Sequence, residues 1–185
     1  MLRTKDILDE KDKRLRKIST DVTFPIKQEY KDMINNMIEY LRNSQIDELA
    51  QKYDLRPGMG MAAPQLGINK RFFVVVAEKE VDGKQDFDTY IIFNPVITSH
   101  SEELIYAGEG EGCLSINRET EGIVPRYART TIEGYDMDGN KIKYRGREEI
   151  SIAFQHEIDH LDGILFIDKI DKKNPFKDAD KMREI

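Results

Sequence analysis

The sequence predicts an α+β fold built on a mostly antiparallel sheet. Three observations carry that expectation. Residues 26–42 hold Ile26, Tyr30, Met33, Ile34, Met37, Ile38 and Leu41 at three- and four-residue spacing, the stripe of an amphipathic helix. The middle of the chain reads as strands, among them RFFVVVA at 71–77 and YIIFNPVI at 90–97. A second helical segment follows at 148–161, so helices stand at either end of the strand-rich stretch.

The elements follow in order. Residues 5–18 are polar with scattered apolar positions, expected as loop or short helix. Thr23 and Pro25 suit the start of the helix over 26–42. Residues 45–53 continue it or form a second short helix. RPGMGMAAPQLG, 56–67, reads as a Gly- and Pro-rich loop. A polar connection, EKEVDGKQDFD, joins the strands at 71–77 and 90–97. Residues 104–106 form a further short strand and GEGEGCLS, 108–115, a glycine-rich turn. Asp138-Gly139-Asn140 marks a hairpin between 123–135 and 141–145. ILFID, 164–168, reads as a last strand. No repeat and no Gly/Ser/Pro-rich linker divides the chain, so residues 1–185 are expected to form one domain.

Charge and composition exclude several classes. The 29 Lys and Arg against 35 Asp and Glu give a net charge of −6, which argues against wrapping or sequence-specific reading of nucleic acid. The longest apolar run, Phe72 to Ala77, is far short of the roughly 20 residues of a membrane helix. The charged amino-terminal stretch has no signal-peptide core, and the single cysteine cannot form an intrachain disulfide. A cytoplasmic protein is the expectation.

The chemistry concentrates on three segments. QHEIDHLDG, 155–163, contains H-E-x-x-H. Four helical residues advance about 400°, so His156 and His160 lie on one face and can share a metal ion. Glu157 sits to the side, where it can take a proton from water. A third ligand is needed, and no histidine follows His160. His100 lies in a polar turn and reads as surface. Cys113, in Glu111-Gly112-Cys113-Leu114-Ser115, has two readings, a ligand thiolate or a small buried side chain. The third segment, GMGMAAPQLG at 58–67, presents Gln65 either to water or, through its amide, to an oxyanion. Ile152 and Ala153 share the His156 side of the helix and suit an apolar pocket floor or ordinary core.

In this order, G-x-G-x-A-A-P-Q-x-G, E-G-C-L-S and Q-H-E-x-D-H-L-x-G, the segments resemble the peptide deformylases, over Gly58 to Gly163. The GEGCLS form resembles the branch common in Gram-positive bacteria and mycoplasmas. The resemblance implies a sheet wrapped around a central H-E-x-x-H helix. It implies removal of the N-formyl group from the formyl-methionine of newly made proteins, releasing formate. Cys113, His156 and His160 would hold one divalent metal, with Fe(II) expected as the native ion and Zn(II), Ni(II) or Co(II) able to replace it. Glu157 would move the proton, Gln65 and the Leu114 N–H would steady the oxyanion, and Met59 and Gly60 would meet the substrate chain. Asp159 would orient a ligand histidine. A monomer is expected. The cations from Lys169 to Arg183, interleaved with acids, would form a solvated tail or touch ribosomal RNA weakly.

Overall fold

The computed structural model describes all 185 residues. Its helices are α1 (Gln28–Ser44), α2 (Asp47–Tyr53) and α3 (Glu149–Leu161). Its strands are β1 (Gly60–Ala62), β2 (Phe72–Val81), β3 (Lys84–His100), β4 (Leu104–Tyr106), β5 (Arg126–Tyr127), β6 (Arg129–Tyr135), β7 (Lys141–Arg147) and β8 (Arg183–Glu184). Five strands form an antiparallel sheet in the order β1-β2-β3-β6-β7. A second sheet runs β5-β4-β8, with β8 parallel to β4.

The apolar run of β2 explains the layering. Successive strand side chains point to opposite faces. Phe72, Val74 and Val76 pack with Ile34, Met37, Tyr40 and Leu41 of α1. Phe73 and Val75 pack with Ala153, Phe154, Ile158 and Leu161 of α3. Both faces are covered, so all six residues from Phe72 to Ala77 are buried. Helix α3 buries Phe154, Ile158 and Leu161 on one side, which leaves His156 and Glu157 to face away from the sheet core. It ends in a left-handed Gly163 at φ +73°, where the Gly163 N–H reaches the His160 carbonyl and the Ile164 N–H that of Asp159. A side-chain carbon on Gly163 would come within 2.6 Å of the Arg16 carbonyl oxygen, so this turn needs glycine twice over.

The structure departs from the sequence reading in four places. The polar connection at 78–88 is a long hairpin, closed at Asp82-Gly83 with φ +52° and +73°. Its arms are mostly exposed, with Phe87 half-buried against the core, so alternation gave no signal, although Asp-Gly is a hairpin dipeptide. The loop at 56–67 contains strand β1 and a 3-10 turn at Ala63–Leu66. ILFID at 164–168 is no strand. Leu165 and Phe166 are both buried beside Cys113 and Val124, and the Asp168 carboxylate accepts the Leu165 N–H to close a 3-10 turn over Phe166–Lys169. Finally, the carboxy-terminal segment is tied down rather than free. Arg183 pairs with Glu103 and Glu148, each at 2.8 Å, and the Tyr106 hydroxyl donates to Glu184 at 3.0 Å.

Phe154 is fully buried against Phe73, Tyr90 and Tyr144. Phe154→Ala is expected to lower unfolding free energy by about 3–5 kcal/mol, measured by denaturant titration.

Candidate active site

Helix α3 sets His156 and His160 one turn apart, with ring centroids at 5.0 Å. The segment between β4 and β5 brings Cys113 to them, its Sγ 3.3 Å from His160 Nε2. One ligating atom from each of the three residues lies within 4.8 Å of the others. Cys113 and His160 are buried, and the His156 side chain is 11% exposed. The Cys113 thiol is therefore a buried side chain and a neighbour of the histidines.

A buried charge chain holds the arrangement. Arg126, 2% exposed, donates to both Glu111 carboxylate oxygens at 2.7 and 2.9 Å. Its other terminal nitrogen donates to Asp159 at 2.6 Å. Glu111 in turn accepts from His156 Nδ1 at 2.9 Å. Burial alone would raise the Glu111 carboxyl, but the hydrogen bonds from His156 and Arg126 outweigh it and hold it down at about 2. An ionised Glu111 fixes the proton on Nδ1 and leaves the His156 Nε2 lone pair free for a metal. Contrary to the sequence expectation, Asp159 does not orient a ligand ring. Asp159 touches Arg126 and Lys169, and Glu111 carries the histidine contact.

Gln65 stands opposite α3, in the 3-10 turn after β1, and is 1% exposed. Its Oε1 accepts the Ala62 N–H at 2.9 Å, which aims Nε2 at Ser115 Oγ (3.1 Å) and Cys113 Sγ (3.6 Å). The Leu114 side chain lies in the core with α1, while its backbone N–H has no acceptor within the chain. Gly60 backs directly onto Glu157: a side-chain carbon there would lie 2.3 Å from Glu157 Oε1. These groups surround a cleft of about 350 Å³, which Met59, Gly60, Gln65, Cys113, Leu114, Ile152, Ala153, His156 and Glu157 all line. His160 lies buried behind this lining, beside Cys113 and His156, while Asp159 turns to Arg126 and the exposed His100 stacks on Tyr127 at 3.6 Å. Sequence reasoning missed the roles of Glu111 and Arg126. Glu111 stands two residues before Cys113, a signal within reach; Arg126 gave none, because only the fold shows that it is buried.

One thiol and two imidazoles are a donor set for a divalent transition metal. The buried Glu157 Oε2 has no partner in the chain, and its residue lines the same cleft. The residues present therefore fit a metal with one position left for a small oxygen ligand. Burial pushes the Glu157 carboxyl up to about 7, and the Glu111 and Asp159 charges add to the rise. Below about pH 4.5 that carboxyl is neutral in folded and unfolded chains alike. As pH rises from there through about 7, the unfolded chain ionises first and stability is lost. Metal-free Glu157→Gln is therefore expected to melt above metal-free wild type at pH 8. The gain is at most roughly 3 kcal/mol and shrinks toward pH 5, as thermal unfolding at both pH values will show.

The chain matches the family model described as Polypeptide deformylase over residues 4–176. It is 45% identical over 180 residues to Peptide deformylase 2 of Bacillus anthracis, covering 97% of this chain and 96% of the relative. It is 45% identical over 175 residues to a peptide deformylase of Listeria monocytogenes serotype 4a, covering 95% and 94%. Among solved structures, the peptide deformylase of Thermus thermophilus superposes with a TM-score of 0.72 at 32% identity, covering 91% of this chain and 86% of that one. That of Thermotoga maritima gives 0.67 at 32% identity, covering 89% and 96%. With a family match over residues 4–176 and relatives of this identity, the chain belongs to the polypeptide deformylase family.

Proposed function

We propose that this chain hydrolyses the N-terminal formyl-methionine of newly made proteins to formate and a free amino terminus. Cys113, His156 and His160 hold the required divalent metal, and Glu157 is the base. The observation that carries the reading is a buried Glu157 carboxyl, its Oε2 unpartnered, on the same cleft as Cys113 and His156, with His160 beside them to complete a trio able to ligate a metal. The resemblance favours Fe(II) as the resident ion, and the donor set also suits Zn(II), Ni(II) and Co(II). Such an ion acts as a Lewis acid that lowers the pKa of water toward neutrality.

The chain's own residues supply the rest. β1 is the end strand of its sheet, so the Gly60 backbone has an open edge on which a substrate peptide can lie as an added strand. Met59, Ile152 and Ala153 give that end of the cleft the apolar lining a methionine side chain needs. Glu157, near neutrality by burial, takes a proton from the attacking water. Oxygen adds to the formyl carbon, and the carbonyl oxygen takes up negative charge. Gln65 Nε2 and the free Leu114 N–H donate to that oxygen. The C–N bond then breaks, and Glu157 returns its proton to the departing amine, leaving formate and a free methionyl terminus.

The direct test is formate release from a formyl-methionyl tripeptide by metal-loaded protein purified without oxygen. Glu157→Ala is expected to keep its metal and lose about 100-fold or more in kcat. Full activity in that variant would refute the assignment of the base. Gln65→Ala removes one oxyanion donor, with an expected cost of about 2.7–4 kcal/mol in the barrier, read from kcat of the same assay.

A further inference from the structure

Arg56, just ahead of β1, has no place in the reaction described above, yet its guanidinium collects four oxygens. One terminal nitrogen donates to the Leu114 carbonyl at 3.1 Å and to Asn117 Oδ1. The other donates to the carbonyls of Ile116 at 2.8 Å and Cys113 at 3.3 Å. No carboxylate lies among these partners, so the charge is spent on turning a loop. Arg56 is itself pinned by its backbone, whose carbonyl accepts the Tyr40 hydroxyl at 3.3 Å and whose N–H donates to Thr4 Oγ1 at 3.4 Å.

We propose that Arg56 is a positioning residue that sets the orientation of the 113–116 backbone, and through it both the metal-ligating thiol and the oxyanion donor. A peptide N–H points opposite to its carbonyl across the planar unit. The Cys113 carbonyl accepts from the guanidinium and from the Ile116 N–H at 3.0 Å, so the Leu114 N–H of the same peptide unit is turned away from both and is left without an acceptor in the chain. With the Leu114 carbonyl drawn the same way, the Ser115 N–H of that unit reaches Cys113 Sγ at 3.4 Å. One planar fork thus fixes two catalytic features at once. A lysine ammonium is a point charge and cannot hold the same set of acceptors. This inference rests on the reaction proposed above.

The test compares Arg56→Ala and Arg56→Lys with wild type at saturating metal, with metal content measured on the same samples. Both variants are expected to lose about 10- to 100-fold in kcat per bound metal, with KM within about threefold of wild type. Methylguanidinium added to Arg56→Ala is expected to restore part of the lost kcat, because Arg56 lines the open cleft. In Co(II)-loaded protein, the thiolate-to-metal absorption band is expected to shift in Arg56→Ala. A wild-type kcat per bound metal, or a loss that methylguanidinium leaves untouched, overturns the proposal. If Arg56→Ala does not fold, Arg56→Lys decides by its own kcat and Co(II) band. Absence of formate from wild type would refute the deformylase reading alone. The Co(II) band would then decide whether Arg56 positions the thiol, an unchanged band overturning it.

Discussion

Arg126 is a guanidinium buried at 2% exposure between two carboxylates, and three parts of the chain meet on it. It stands on β5, Glu111 on the segment that delivers Cys113, and Asp159 on the helix that carries both histidines. A buried ion of this kind is tolerable only when its hydrogen bonds are complete. Here two carboxylates satisfy it, and one of them passes the constraint on to His156. Loss of either acid would leave part of the guanidinium without a hydrogen-bond partner in a low-dielectric interior. The spacing between thiol and imidazoles is therefore held by electrostatics between segments far apart in the sequence, not by the helix alone.

The remainder of the molecule gives this network a rigid frame. β2 is packed on both faces, so α1 and α3 are held on opposite sides of one strand. α3 has an apolar side packed on the sheet and a polar side, also largely buried, that carries Glu157 and the histidines. The sheet takes the first, and the second becomes one wall of the cleft. β1 and the turn carrying Gln65 form the facing wall, and the close approach of Gly60 to Glu157 sets how narrow the gap is. Function and fold meet at that contact, since a side chain at Gly60 would occupy the space of the base.

What could be read in advance was local. The H-E-x-x-H spacing, the stripe of α1 and the apolar run of β2 are periodic signals whose geometry follows from one element. What could not be read was decided by distant partners. Leu165 and Phe166 read as a strand because both are apolar, but no neighbouring strand reaches them and they cover Cys113 instead. Asp159 lies near a ligand histidine in the sequence, yet its charge is drawn to Arg126, which sequence distance conceals. Glu111 takes the role expected of Asp159 because the fold sets it against His156 Nδ1. The anchoring of Arg183 on Glu103 and Glu148 is likewise a tertiary event within a segment whose composition reads as solvated. The family resemblance pointed to residues that the fold brings around one cleft. The geometry adds which groups hold them there.

The central claim is that Cys113, His156 and His160 hold one metal and leave a position open beside Glu157. X-ray absorption of the metal-loaded protein tests it most directly. One sulfur at about 2.3 Å, two imidazole nitrogens at about 2.0–2.1 Å and one further light oxygen ligand are expected in a zinc-loaded sample. A shell without sulfur, or one closed by four protein ligands, would contradict it.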